Sequence, residues 1–91
     1  MIEVRNLDGE IIATVEGDDP SEADFSYMDL PFADFRGWNL VNAFFDSADL
    51  HGADFTGANL EYSSIRHALN LDGTVFTDAV MPHRTKAFSW R

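Results

Sequence analysis

Between Ala23 and Leu60 the chain repeats every five residues, a period that neither an α-helix nor a β-strand possesses. The first units read Ala23-Asp24-Phe25-Ser26-Tyr27, Met28-Asp29-Leu30-Pro31-Phe32 and Ala33-Asp34-Phe35-Arg36-Gly37, and an eighth begins at Ala58-Asn59-Leu60. Each offers a usually small residue, then usually Asp or Asn, then Phe or Leu, then two residues suited to a bend. On a helix, five positions turn through about 500°, so the Phe/Leu stripe would wander around the cylinder. On a continuous strand, positions five apart point to opposite sides. A short extended segment followed by a corner meets both objections. The small residue and the Phe or Leu lie two apart and share the inward face, the Asp or Asn points out, and the corner resets the phase. Such units coil into an all-β solenoid whose turns stack at about 4.8 Å. Gly37, Gly52, Gly57 and Gly73 fall on corners, where permissive backbone angles are useful.

The central residues alternate Phe25, Leu30, Phe35, Leu40, Phe45, Leu50, Phe55, Leu60, a ten-residue super-period that any even number of sides satisfies. These units resemble the pentapeptide-repeat family, whose motif is small-Asp/Asn-Leu/Phe-polar-polar, and the likeness runs from Ala23 to about Met81. The resemblance implies a right-handed quadrilateral β-helix with four pentapeptides per coil. With four sides the inward columns become Phe25/Phe45/Ile65, Leu30/Leu50/Leu71, Phe35/Phe55/Phe76 and Leu40/Leu60/Met81. Like then stacks on like. From Ile65 to Leu71 the step is six residues rather than five, so one extra residue sits near Arg66-His67-Ala68, most simply as a bulged corner. The units centred on Phe25 to Met81 make about three coils.

Residues 2–15 read as a β-hairpin, with alternating Ile2-Glu3-Val4-Arg5, a turn at Asn6-Leu7-Asp8-Gly9 and a β-branched return to Val15. An open solenoid end exposes core and unpaired strand edges, so residues 1–16 are expected to form an N-terminal cap. Met28 and Trp38 are oversized for inward positions normally given to Ala, and their volume could fill the space beneath that cap. Residues 17–81 then form the β-helix and residues 82–91 a basic extension. Residues 17–81 carry twelve acidic side chains against Arg36 and Arg66, whereas the tail carries Arg84, Lys86 and Arg91.

Several functions find no footing. The chain has no Cys, which leaves no disulfide or thiolate metal site. No apolar run approaches a membrane span and the first residues are not a signal peptide, so a soluble, cytoplasmic protein is expected. No nucleophile motif or phosphate-binding Gly-rich loop is present, and neither an enzyme nor a cofactor is expected. His51 and Asp72 share an outward column in the four-sided register, most simply as a weak surface pair. His67 and His83 have no ligand spacing for a metal.

The acidic surface is the main functional lead. In the four-sided register Asp29 lies over Asp49 and Asp34 over Asp54. Carboxylates about 5 Å apart repel by about 1 kcal/mol even in water. The simpler account is that Asp and Asn here bond local backbone and keep the solenoid soluble. The functional account is that regularly spaced carboxylates address a protein. Direct nucleic-acid binding by this body is disfavoured by its charge, since the net formal charge is −10. The reading is therefore a non-catalytic protein-binding or scaffold module acting through a rigid acidic surface. The alternative comes from the resemblance: family members that protect type II topoisomerases imitate DNA, which suggests an inhibitor or protector of DNA gyrase. Three coils are short for that role.

Aromatic exceptions complete the list of candidates. Phe44 takes an outward slot that is Asp or Asn in seven of the eight core units, and Tyr27, Phe32 and Tyr62 sit on corners. Such a patch is either a binding surface or the footprint of the hairpin or tail, and internal covering is the favoured reading. Phe88 and Trp90, with Arg84 and Lys86 around them, suggest a homodimer joined through the tails at the last coil.

Overall fold

The computed structural model describes residues 1–82. Two antiparallel strands open the chain, β1 (Ile2–Arg5) and β2 (Ile11–Val15). Their register pairs Ile2 with Val15 and Val4 with Ala13, then shifts so that Arg5 meets Ile11, leaving a bulge at the turn end. Asn6 organises that turn: its side-chain oxygen accepts the amides of Asp8 and Glu10, both at 3.0 Å. The hairpin is bonded to the repeat body at one place, where the Leu7 amide donates to Phe32 and the Asp34 amide to Arg5, at 2.8 and 2.7 Å. Ile2, Val4 and Val15 join the buried core.

Apart from an antiparallel bridge of Asn6 to Ala33 that ties the hairpin to the body, every bridge among the described residues is parallel and single-residue, as side-then-corner units require. Asp24 bridges Phe44, Asp29 bridges Asp49, Asp34 bridges Asp54 and Asn39 bridges Asn59. Each partner lies twenty residues on, so four five-residue units make one turn. The super-period in the sequence leaves the number of sides open; the backbone register sets it at four. After the extra residue the offset becomes twenty-one, in Asp49 with Asn70, Asp54 with Val75 and Asn59 with Val80.

The inward columns pack as stacked rings. Phe25 lies on Phe45 at 5.0 Å between centroids, Phe35 on Phe55 at 4.9 Å and Phe55 on Phe76 at 5.4 Å, all within 13° of parallel. Across the coil the two aromatic columns meet edge to face, as in Phe45 against Phe55 at 5.7 Å. Leu30, Leu40, Leu50 and Leu60 fill the remaining sides and are fully buried. Alanines 33, 48, 53 and 58 have no exposed surface, because a coil this narrow has no room for a second large group on each side. Trp38 is half-buried with its ring edge-on to Phe35 at 5.0 Å. Met28 borders a depression shared with Thr14, Val15, Glu16 and Asp24, at the junction of β2 and the first turn.

The corners follow one rule. Residues 22, 27, 32, 37, 42, 47, 52, 57 and 62, and then 73 and 78, all have φ between 56 and 72°. This left-handed conformation costs a side-chain-bearing residue about 1 kcal/mol or more, yet Tyr27, Phe32 and Tyr62 adopt it. Two glycines separate backbone from packing. Gly57→Ala would place its Cβ in open space, and its expected cost is the conformational one alone, about 1 kcal/mol. Gly52→Ala would drive its Cβ into the Phe32 ring, which lies over that corner, and should cost a further ~1 kcal/mol. Chemical denaturation of both variants, and of Gly52→Ala combined with Phe32→Ala, checks this. The double variant should recover the packing part and leave the backbone part.

The extra residue is absorbed by a short 3-10 helix, Ile65–His67. The Ser64 carbonyl closes that turn by accepting the His67 amide at 2.8 Å, so it is unavailable to the ladder. The Ser64 hydroxyl takes its place and accepts the Phe45 amide at 2.9 Å. The expected bulged corner therefore stands where the spacing puts it, as a helical turn with a serine patching the ladder.

Candidate functional site

The outward slots make four columns. The Asp29/Asp49 column ends in Asn70, the Asp34/Asp54 column in Val75 and the Asn39/Asn59 column in Val80, while the fourth pairs Asp24 with Phe44. Side-chain oxygens in these slots turn back to the chain. Asp24, Asp34, Asn39, Asp49, Asp54, Asn59 and Asn70 each accept the amide two residues on, at 2.9 to 3.2 Å. That bond braces the corner and explains why Asp and Asn recur. Asp29 is the exception, because the residue two on is Pro31, which has no amide hydrogen. Its carboxylate is left for solvent or a partner.

The two acidic pairs are electrostatically unlike. Arg36 reaches around its corner and forks onto Asp34, Nε to Oδ1 at 2.8 Å and Nη2 to Oδ2 at 2.9 Å. The side-chain bonds from Arg36 hold the Asp34 carboxyl below its ordinary value despite partial burial. The guanidinium is raised in turn by Asp34 and, more weakly, by Asp54. Asp24 is also lowered, by bonds from the Ser26 side chain and amide. Among the described residues no basic group pairs with Asp29 or Asp49. Those two form the uncompensated ladder, and the Asp34/Asp54 ladder is half-neutralised. The Arg36 contact was missed in the sequence, although an Arg two residues after an Asp at a corner is the signal for it.

Phe44 is 50% exposed on the fourth side. The hairpin's backbone bonds reach Phe32 and Asp34, so it meets the Phe32 end of the aromatic group while Phe44 stays half-exposed. Phe44 lines a depression of about 240 Å³ with Tyr62, Arg66 and His67, beside the register slip. Sequence reasoning singled out Phe44 and Tyr62, but not the two basic side chains that the slip brings beside them. His51 packs edge-on to the Phe32 ring at 5.3 Å, and its expected neighbour on the next turn is placed by the Gly52 amide donating to the Asp72 carbonyl at 2.9 Å. Among the described residues no group of three His, Cys, Asp or Glu is placed to hold a metal ion. Phe88, Trp90, Arg84 and Lys86, the tail part of the expected interface, lie outside the described residues. Among the described residues no helix is long and apolar enough to cross a membrane.

The family model for pentapeptide repeats matches residues 21–57 and 29–66, as 8 copies. No curated protein and no solved structure matches the chain.

Proposed function

The chain belongs to the pentapeptide-repeat family, and from that premise we propose that it is a non-catalytic module that binds another protein through its acidic sides. The architecture we assign to it is a right-handed quadrilateral β-helix of about three coils over residues 17–81. Residues 1–16 cap it, residues 82–91 extend it, and it works in the cytoplasm. The observation that carries the reading is the pairing of Asp29 with Asp49 and of Asp34 with Asp54 as neighbours on adjacent turns. Carboxylates held on a rigid ladder lose little freedom on binding, which favours an electrostatic partner surface. Asp29 and Asp49, without basic partners, carry most of that field. Capture from a host lysate on immobilised full-length chain tests the reading. The expected result is a retained partner that elutes as salt rises, and retention indifferent to salt would contradict it.

A DNA-mimicking inhibitor or protector of DNA gyrase is the second reading, favoured by the same ladders. Two features weigh against a monomer in that role. Arg36 neutralises one rung, and the longest extent, 38 Å, matches only about eleven base steps at ~3.4 Å each. A supercoiling assay with purified gyrase separates the two readings, since inhibition belongs to the second alone.

A homodimer through the last turn belongs to the same proposal. Leu71, Phe76 and Met81 are only partly buried, whereas Leu50, Phe55 and Leu60 above them have no exposed surface. A second copy's last turn would bury these half-buried side chains further, with the tails at the rim. Sedimentation of the full chain and of a chain ending at Thr85 should give a dimer and a monomer respectively. A full-length chain that stays monomeric at high micromolar concentration contradicts the dimer.

A further inference from the structure

One side of the body departs from the chemistry of the others. Its outward column begins with Asp24 and passes to Phe44, and Ser64 follows beneath, tied by its amide to the Ala43 carbonyl at 3.1 Å. No carboxylate or amide side chain fills the two lower slots. The 3-10 turn that absorbs the extra residue puts Arg66 and His67, both exposed, at the edge of this side. Tyr62, also exposed, lines the same depression as they do from its left-handed corner position. The depression they share is also lined by Ala43, Phe44, Ser63, Ser64 and Pro82. Basic groups are scarce in this body: residues 17–81 hold only Arg36 and Arg66, and Arg36 lies on Asp34. The depression therefore joins the body's second arginine and a histidine to two exposed aromatic rings.

We propose that this depression binds a peptide carrying a carboxylate beside an apolar side chain. The carboxylate meets the Arg66 guanidinium, whose fork of donors accommodates a carboxylate in addition to another contact. The apolar side chain lies on Phe44 and Tyr62, which offer broad contact with few torsions to freeze. The charge of the whole sets the ligand's character. A net charge of −10 repels a strongly acidic chain, but beyond a Debye length of about 8 Å the other sides are screened. One carboxylate placed locally is recognised and a run of them is rejected. The site needs no partner at Asp29, Asp34, Asp49 or Asp54, so it stands or falls apart from the acidic-surface reading.

The test is an amide NMR titration of the full-length chain with a capped pentapeptide holding one glutamate next to a leucine. Its glutamine counterpart and free acetate serve as controls. The expected result is saturable shifts confined to residues 43–45 and 62–67, with the glutamine peptide binding about tenfold more weakly and acetate weaker still. Phe44→Asn restores the residue type of the neighbouring slots, and should keep a dispersed native spectrum while weakening binding about tenfold. Arg66→Gln should weaken the glutamate peptide to the level of the glutamine peptide. The proposal is overturned by no shifts at millimolar peptide, by equal binding of the two peptides, or by shifts elsewhere on the body. Undiminished binding in native Phe44→Asn overturns it as well. Contacts from Phe88 or Trp90 to Phe44 or Tyr62 in the unliganded chain would mean that the protein's own tail fills the depression, and would overturn it too.

Discussion

Phe55→Ala is expected to lower the folding free energy by about 3–5 kcal/mol. Phe55 has no exposed surface, and its ring is held between Phe35 at 4.9 Å and Phe76 at 5.4 Å. The neighbours cannot close the gap, because the ladder fixes their spacing: the Phe55 amide donates to Val75 at 2.8 Å and the Val75 amide to Ala53 at 2.9 Å. A cavity therefore persists, and its cost adds to the lost burial. A protein of this size has total stability of only about 5–15 kcal/mol, so the variant should be close to unfolded. Chemical denaturation measures the difference. A loss below ~1 kcal/mol would contradict the placement of the Phe columns at the centre of the coil.

The second large effect concerns register. Repeating residues 53–57 once inserts five residues and moves everything after them to the next side. The repeated phenylalanine would then lie in the Leu40/Leu60 column and Leu60 in the place of Ile65, and the stack of Phe55 on Phe76 would be broken. Overpacking on one side and a void on the other should together cost about 3 kcal/mol or more. Repeating residues 38–57 inserts twenty residues, one full turn, and keeps every column. That longer variant should denature at equal or higher denaturant than the parent, since neighbouring turns stabilise one another. Equal effects of the two insertions would contradict a four-unit turn.

Much of this architecture is legible in the residues, for a physical reason: the five-residue unit is local, and each unit contains its own inward pair, outward slot and corner. The hairpin is equally local, since Asn6 and Gly9 carry its turn. Legibility fails where the outcome depends on what lies one turn away. The number of sides is a long-range property, and an alternation of Phe and Leu is satisfied by any even number. The left-handed corners at Tyr27, Phe32 and Tyr62 are hidden because their residue type argues against that backbone; the stacking of turns imposes it. Ser64 looks like any corner serine until the helical turn withdraws its carbonyl from the ladder. For the site, the acidic columns follow from register alone. Their inequality does not, because it depends on which way Arg36 reaches and on Pro31 lacking an amide hydrogen.

The most direct test of the proposed function is to replace Asp29, Asp34, Asp49 and Asp54 together by Asn and compare lysate capture with the parent chain. Asn keeps an oxygen that can accept the corner amide at positions 34, 49 and 54, and relief of the stacked repulsion offsets the loss of the exposed Arg36 fork on Asp34, so thermal stability should not fall. The account predicts that the partner retained by the parent is lost by this variant while its melting temperature does not fall. The same proteins retained equally by both chains would contradict it.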